Sequence, residues 1–378
     1  MIDMTCSPRI SVIIPICNVE KFLDECLDSV SGQTFRDIEI ICLNDGSKDG
    51  SSAIMHRHAD ADERIVCIDK QNEGYGATCN RGLDMARGEY IAIVEPDDYL
   101  RLDMFKDMLA LVDALGGAID VVKTPWLELH EWDNPSTLCT KPGGLYRALP
   151  TSKAPFVLAD APILLEGHPS IWSALYRRAF LDEQGIRFHP YPGAGWADNP
   201  FLVQTLCRAR KIAYLDKMFY CYRTDLPGST LHHATEEKVA LPFVRWMDMT
   251  SEMHDMGVRD EGIWLAHTVR AFNYLDGAII DDGWDNPVVR RMTKRMFDMI
   301  PEQHVLHCGK LSPAKKRFYF EQRGLPVPNI SPLPYAKHLA AQSVHALRAM
   351  GVAYLVRRTA QFVGEKVKGI GVESAARG

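Results

Sequence analysis

Three carboxylates, Glu95, Asp97 and Asp98, directly follow one short apolar run at residues 90–94. The run predicts a fully buried strand, and carboxylates crowded at its end repel one another and lose solvation unless a cation joins them. Their oxygen atoms are ligands that suit Mg²⁺ or Mn²⁺ carrying a diphosphate. The alternative is a surface turn in which Asp98 or Asp103 caps the following helix.

Strand and helix patterns alternate through the first hundred residues and position this acidic turn. Strand patterns occupy residues 10–15, 38–43, 65–68 and 90–94, and helical patterns occupy residues 19–30, the segment after residue 49, and residues 74–86. Such alternation predicts βαβ units and a parallel sheet, in which ligands bind outside the carboxyl ends of the strands. The polar turns at 17–18, 44–45 and 95–98 all fall at that edge.

The remainder of the chain is less regular. We predict a loop-rich segment at 125–150, followed by helical or strand segments at 171–178 and 201–211 beside a polar cluster at 193–199. Strands are predicted at 212–215 and 218–222, and helices over 236–300. A proline-rich linker at 326–334 then leads to a basic amphipathic stretch at 335–368. In that last stretch, basic residues alternate with an apolar stripe. The pattern predicts either peripheral attachment to an anionic membrane surface or a helix packed on the catalytic domain or a dimer partner.

Composition limits the class of protein. The 378 residues are 46% hydrophobic and 24% charged, which is typical of a globular protein with a substantial core. The net charge of −6 argues against a general nucleic-acid binder. Ten scattered cysteines without a C-x-x-C pair indicate buried, reduced thiols. Without a recognisable signal peptide or a run of transmembrane length, we expect a cytoplasmic protein.

Taken in order, these segments resemble an inverting family 2 glycosyltransferase. The resemblance rests on S-V-I-I-P-x-x-N-x-E at 11–20, N-D-G-S-x-D at 44–49, a glycine-rich segment at 72–82, the acidic turn within 88–98, the pair at 197–198 and Y-x-Y-R at 220–223. It spans about residues 8–230 and implies a GT-A fold, an α/β Rossmann-like, mostly parallel sheet flanked by helices, with a helical C-terminal extension.

The resemblance also implies a division of the chain into parts. It places a GT-A catalytic domain at 1–230, with a nucleotide-sugar half at about 1–100 and an acceptor half at about 101–230. A helical extension would then occupy 231–325, and the linker and basic tail would occupy 326–378.

For the donor side, the resemblance assigns nucleotide-sugar binding to Pro15, Asn18, Glu20, Asp45, Asn72, Gly74, Glu95 and Asp97. Asp97 is the principal predicted ligand of Mn²⁺ or Mg²⁺, and Glu95 supports the ribose or the metal. The residues alone leave other interpretations open: Asp45 forms an Asx-turn with Gly46, Glu20 favours a helix start, and Gly74 only relaxes a turn.

For the acceptor side, the resemblance makes Asp198 the general base, with an N-cap of the next helix as the alternative. Residues predicted to meet the acceptor or the sugar are Asp98, His168, Trp172, Trp196 and Arg223. For each of the tryptophans, packing in the core is the alternative.

The expected activity is metal-dependent transfer of a hexosyl or N-acetylhexosaminyl group, with inversion, from a nucleotide-diphosphate donor. We expect a UDP-sugar as donor and a glycan or lipid-linked hydroxyl as acceptor, in the synthesis of cell-surface polysaccharide or glycoconjugate. Glu95 and Ala197 stand where the family usually has aspartate and another acid. These departures leave a non-catalytic sugar-binding or scaffold protein as an alternative. A nucleotidyltransferase is disfavoured because no basic phosphate-binding signature follows the first strand.

Overall fold

A computed structural model describes residues 7–134, 136–224, 226 and 235–350, which form two compact units. The N-terminal unit comprises the described residues up to Ala161 and those from His168 to 226. The C-terminal unit comprises Pro162–Gly167 and the described residues from 235 onward.

Two sheets form the framework of the N-terminal unit. Its strands are β1 (Ile10–Ile16), β2 (Ile38–Asp45), β3 (Ile65–Lys70), β4 (Tyr90–Ile93), β5 (Tyr99–Leu100), β6 (Val121–Lys123), β7 (Trp126–His130), β8 (Cys139–Pro142), β9 (Ala174–Arg177), β10 (Ile212–Tyr214) and β11 (Tyr220–Arg223). The larger sheet has the order β10-β6-β9-β4-β1-β2-β3, and the smaller sheet has the order β5-β11-β7-β8.

Strands β4, β1, β2 and β3 are parallel to one another, and β6 is parallel to β10, whereas β9 runs antiparallel between β4 and β6. Every residue of β1, β2 and β4 is buried, as expected of strands covered on both faces. The predicted α/β fold with a mostly parallel sheet is therefore confirmed.

Helices connect and cover these strands. They are α1 (Glu20–Ser31), α2 (Ser51–Ala61), α3 (Tyr75–Met85), α4 (Met104–Ala114), α5 (Arg178–Glu183) and α6 (Asp198–Arg208). In α1 the buried residues Leu23, Cys26, Leu27 and Val30 recur at helical spacing, as the sequence predicts. Each of the first three helices follows a strand of the parallel block, so the turns between them meet at one sheet edge.

The segment at 125–150 differs from its prediction as a loop-rich stretch, because it contains β7 and β8. The alternation of β7 buries Trp126, Leu127 and Leu129 while leaving Glu128 and His130 half-buried. The neighbouring Pro, Gly, Asn and Thr residues obscure that short alternation. The smaller sheet then brings β11 beside the acidic turn through its pairing with β5.

Six α-helices are described in the C-terminal unit, in addition to the short 3₁₀-helix Pro162–Leu165: α7 (Glu236–Asp255), α8 (Glu261–Asp282), α9 (Pro287–Asp298), α10 (Glu302–His307), α11 (Pro313–Gln322) and α12 (Leu333–Met350). Side-chain caps start four of them, at Thr235, Asp260, Asn286 and Ser312. This confirms the predicted helical C-terminal region. The basic stretch beyond residue 350 lies outside the described residues. Among the helices described here, none combines the length and apolar character needed to span a bilayer.

Candidate active site

The carboxylate of Asp45, the last residue of β2, is held by the next turn of the chain. Its Oδ1 accepts the Glu73 N–H at 2.8 Å, its Oδ2 accepts the Gly74 N–H at 3.0 Å, and Lys70 forms an ion pair with it. Burial raises the pKa of Asp45, but the hydrogen bonds from Lys70 and the backbone outweigh burial, and the pKa lies below its ordinary value. Asp45 is therefore an ionised group, and its side chain bonds across the edge rather than within its own turn.

Pro15 and Asn18 bring the end of β1 to the same edge. Pro15 is buried opposite Leu43 of β2. Asn18 has a positive φ of 54°, donates its N–H to Ser47 Oγ at 3.0 Å, and accepts the Lys48 N–H through Oδ1 at 2.8 Å. These bonds join the turns after β1 and β2 into one surface.

Glu20 and Asn72 also join separate turns at this edge. Glu20 Oε2 accepts the Gly50 N–H at 2.6 Å, just before α2. Asn72 donates Nδ2–H to the Asp45 carbonyl at 2.9 Å. The structure thus gives both residues a positioning contact, and their predicted nucleotide contacts remain predictions.

The start of α3 requires glycine because the segment at 189–193 lies directly against it. Gly74 has φ 90°, and a Cβ there would lie 2.8 Å from the Tyr191 carbonyl oxygen. A Cβ on Gly76 would lie 2.2 Å from the carbonyl oxygen of His189. This close approach joins the start of α3 to the segment that leads into α6.

The acidic turn follows β4 and contains three carboxyl groups, of which Asp98 is buried and Glu95 and Asp97 are half-buried. Burial raises the pKa of Glu95 to about 8; the charges of Asp97 and Asp198 add to this rise, and a hydrogen bond from Tyr75 opposes it. Burial likewise raises the pKa of Asp97, and burial beside Asp97 raises that of Asp98 well above its ordinary range. A divalent cation would relieve this electrostatic repulsion.

Asp98 and Arg223 brace the acidic turn from β11. Asp98 is 1% exposed, and its Oδ1 accepts the Arg223 N–H at 2.7 Å. The Arg223 guanidinium donates to the Asp97 carbonyl, pairs with Glu25, and lies 5.2 Å from the ring centroid of Tyr99. These contacts fix the turn, and neither residue's predicted contact with sugar or acceptor is tested by them.

Asp198 faces the same acidic centre. It is the first residue of α6, the cap position belongs to Ala197, and Asn199 donates Nδ2–H to Asp198 Oδ1 at 3.1 Å. The helix therefore begins at Asp198 rather than near residue 201, and Asp198 is not its N-cap. Burial raises the pKa of each of five surrounding groups, and the negative charge of Asp198 adds to the rise; these groups are Tyr75, Cys79, Glu95, Tyr176 and Tyr222. Trp196 lies in the preceding turn with φ 54°.

Aromatic rings form a cluster beside the acidic centre. Trp172 is 4% exposed and stacks on Tyr220 with centroids 4.0 Å apart and on Tyr222 at 5.2 Å. The exposed His168 lies 5.5 Å from Tyr222, and Trp126 lies 5.3 Å from Trp172. Trp172 thus packs in the core, which is the alternative interpretation given for the tryptophans. His168 lies on the solvent-exposed side of the cluster.

The orientation of His168 is fixed by its own loop. The Ser170 N–H donates to His168 Nδ1 at 3.0 Å, which places the proton of a neutral ring on Nε2. Lys123, at the end of β6, donates Nζ–H to the Ser170 carbonyl at 2.9 Å. The loop therefore holds the His168 ring beside the aromatic cluster.

Three residues of this edge were not singled out from the sequence. Lys70 pairs with Asp45, Tyr75 bonds to Glu95, and Trp126 packs on Trp172. A charged residue ending a short strand and an aromatic residue between two glycines are the signals available for the first two. Trp126 fell in a segment predicted as loop, so its pattern gave no such signal.

An α/β unit of this strand order, with an acidic turn at the carboxyl edge of its central strands, has the GT-A fold. Solved structures confirm the fold class. Staphylococcus aureus TarS 1-349 matches with a TM-score of 0.65 at 19% identity, covering 84% of this chain and 87% of that one. The mannosyltransferase PcManGT of Pyrobaculum calidifontis, solved with GDP-Man and Mn²⁺, matches with a TM-score of 0.50 at 15% identity, covering 96% and 89%.

The sequence model of glycosyl transferase family 2 matches residues 11–164. EpsH of Bacillus subtilis is 32% identical over 58% of this chain and 62% of its own length. The uncharacterized glycosyltransferase EpsJ of the same organism is 30% identical over 57% and 61%. The chain therefore contains a glycosyl transferase family 2 domain over residues 11–164. It spans about three fifths of the length of these curated relatives.

Proposed function

We propose that this protein is an inverting glycosyltransferase that moves a hexosyl or N-acetylhexosaminyl group from a UDP-sugar to a hydroxyl of a glycan or lipid-linked acceptor. One observation carries the proposal. An ionised carboxylate at the end of β2, an acidic turn after β4 and the Asp198 carboxylate all belong to one sheet edge, and the charge of Asp198 reaches Glu95.

The donor side is supported by the geometry of Asp45. A buried, ionised carboxylate accepts hydrogen bonds from N–H groups, and the imide of uracil supplies one. A TarS structure in complex with UDP-GlcNAc shares this fold, whereas PcManGT was solved with GDP-Man. A UDP-sugar is therefore the first donor to test and a GDP-sugar the second.

We propose that the acidic turn binds a divalent metal. Asp97 would hold Mn²⁺ or Mg²⁺, with Glu95 beside it. Few protein ligands are needed, since phosphates and water complete the coordination of these ions. Burial raises the pKa values of the carboxyl groups in this turn, and a nearby cation would favour their ionised forms. A bound metal supplies neutralisation of the diphosphate leaving group.

Asp198 is the proposed general base. The acceptor oxygen attacks the anomeric carbon, its proton passes to the Asp198 carboxylate, and the bond from that carbon to the diphosphate oxygen breaks. Attack opposite the leaving group inverts the configuration. The exposed His168, with its Nε2–H, and the neighbouring Tyr222 are proposed to orient the acceptor sugar, since sugar C–H faces pack on aromatic rings.

The biological setting is proposed from the relatives. The minor teichoic acid biosynthesis protein GgaB of Bacillus subtilis is 39% identical over 30% of this chain and 13% of its own length. That name supports a role in making cell-surface polysaccharide or glycoconjugate. We propose a cytoplasmic location for this reaction, at the inner surface of the membrane.

A donor panel tests the proposal. Purified protein is incubated with UDP- and GDP-sugars in Mn²⁺, in Mg²⁺ or in EDTA, and released nucleotide diphosphate is measured. We expect metal-dependent release from a UDP-sugar. Calorimetry on the same panel separates the alternatives: binding of a nucleotide sugar without any turnover, even with acceptor extracts, would instead indicate the non-catalytic sugar-binding protein.

A further inference from the structure

The Tyr75 hydroxyl is committed to one partner in the acidic centre. Tyr75 is the first residue of α3, and its hydroxyl donates to Glu95 Oε1 at 2.6 Å. A tyrosine hydroxyl is protonated at neutral pH, so the phenol acts as the donor to the Glu95 carboxyl oxygen. Oε1 of Glu95 is thus hydrogen-bonded to Tyr75.

The position of Tyr75 is itself fixed from two sides. Its N–H donates to the Gly193 carbonyl at 2.9 Å, and its ring meets the edge of Phe188 at 5.9 Å and 85°. Phe188 stacks on Phe201 of α6 with centroids 4.0 Å apart and planes 4° apart. Tyr75 is therefore anchored to the segment that leads into Asp198 and to the helix that Asp198 begins.

The length of the Glu95 side chain explains why this hydrogen bond can form. Glutamate carries its carboxylate one methylene farther from the backbone than the aspartate usual at this position of the family. That reach brings Oε1 to the Tyr75 hydroxyl. An aspartate on the same backbone would fall short by about 1.5 Å, too far for a hydrogen bond of normal length.

We propose that Tyr75 is a positioning residue for Glu95, which ties the donor-side carboxylate to the segment carrying Asp198. The inference rests on the proposed function, because the role of Glu95 in donor binding belongs to it. Tyr75 makes no contact with the reacting atoms in this scheme. It orients the Glu95 carboxylate, which contacts the donor. Tyr75 thereby links this carboxylate to the segment that carries the base, Asp198.

A double-mutant cycle tests this role. The variants are Tyr75→Phe, Glu95→Asp and the pair together, and the affinity for UDP in Mn²⁺ is measured by calorimetry alongside kcat and KM. With Glu95 in place, we expect Tyr75→Phe to weaken UDP binding about fivefold to fiftyfold, the range for losing a hydrogen bond to a carboxylate. In the Glu95→Asp background, the same change should alter UDP affinity by less than about twofold, because the hydrogen bond is already lost.

Tyr90→Phe is the matched control. The Tyr90 hydroxyl is buried and accepts the Ile119 N–H at 3.2 Å, so its removal also deletes one buried hydrogen bond. We expect this variant to lose thermal stability without a change in UDP affinity. If Tyr75→Phe behaves in the same way, its hydroxyl is merely structural and the proposal is overturned.

A nucleotide-free measurement separates this inference from the proposed function. Thermal unfolding of the wild type and the three variants of the cycle without ligand reports whether Tyr75 and Glu95 are coupled. If the unfolding measurements show coupling but the wild-type protein binds neither UDP nor GDP, the proposed function is rejected and the Tyr75–Glu95 contact is retained. Additive effects on unfolding would overturn the positioning role whatever the nucleotide result.

Discussion

We expect the metal-dependent turnover of the donor to require Asp97. Asp97→Ala should abolish metal-dependent turnover of the donor while leaving the fold intact, because it removes the principal carboxylate offered to the cation. Nucleotide diphosphate release is the measurement, with circular dichroism to confirm folding. Asp113→Ala removes a carboxylate that is 61% exposed and serves as the control. Near wild-type turnover of Asp97→Ala in Mn²⁺ or Mg²⁺ would contradict the assignment.

A substitution of Asp198 is expected to lower turnover without lowering the affinity for UDP. Asp198→Asn should lower turnover by about 10²–10⁴ while UDP binding survives, since the amide keeps the shape but accepts no proton. Calorimetry and steady-state kinetics separate the two effects. The exposed Asp182→Asn on α5 is the matched control. A parallel loss of affinity and turnover would point to a structural role at the start of α6.

Glu95 makes the stability of the ligand-free protein depend on pH. Its pKa rises from 4.5 to about 8 on folding, so the folded state holds the proton more tightly than the unfolded state does. The associated stability is complete below pH 4.5 and is lost as the pH rises through 8. Near pH 9, Glu95→Gln should be more stable than wild type, on the order of 2–4 kcal/mol.

Thermal unfolding between pH 5 and pH 9 measures this effect, with the exposed Glu183→Gln as control. The wild-type melting temperature should fall across this range, and that of Glu95→Gln should fall less. Parallel curves for the two proteins would show that Glu95 is not the titrating group. Adding Mn²⁺ should reduce the wild-type dependence if the cation neutralises the turn.

At the scale of elements, the start of α3 controls the placement of the 189–198 segment. Gly76→Ala should lower turnover at least tenfold and weaken folding, because the new Cβ lies 2.2 Å from the His189 carbonyl oxygen. Gly277→Ala in α8 has nothing within 4 Å and is the control. It should stabilise the protein by about 1 kcal/mol, as expected for alanine inside a helix. Turnover and melting curves check both variants, and unchanged kinetics of Gly76→Ala would argue against this coupling.

The sequence predicts the parallel block better than the elements around it. β1, β2 and β4 are fully buried, so each reads as an unbroken apolar run with a polar turn at its end. β9 has only four residues, and its antiparallel insertion between β4 and β6 depends on long-range pairing that no local pattern records.

The candidate site likewise contains features that the sequence predicts and features that it does not. Asp45 and the acidic turn follow strands, so their shared edge is predictable from the alternation of elements. The bond between Tyr75 and Glu95, and the approach of residues 189–193 to Gly74, depend on side-chain reach and backbone contact across the fold. Sequence spacing carries no information on either distance.

At the scale of the whole molecule, the basic C-terminal stretch is predicted to attach the protein to membranes. The described part of α12 exposes Leu333, Val344 and Leu347, while residues 351–378 lie outside the described structure. The full chain should sediment with anionic vesicles at low salt, and a chain ending at Ile330 should not. Neutral vesicles are the control. Equal sedimentation of the two chains would favour packing of the stretch on protein instead.

The C-terminal unit is discontinuous, and this has a consequence for the order of biosynthesis. Arg270 donates to the Leu165 carbonyl at 2.8 Å, Asn273 donates to the Glu166 carbonyl at 3.0 Å, and Lys310 pairs with the Glu166 carboxylate. A nascent chain emerging from the ribosome exposes residues 162–167 well before their helical partners appear. Chaperones therefore have an interval in which to meet this segment, and premature termination before Arg270 would leave it permanently without those partners.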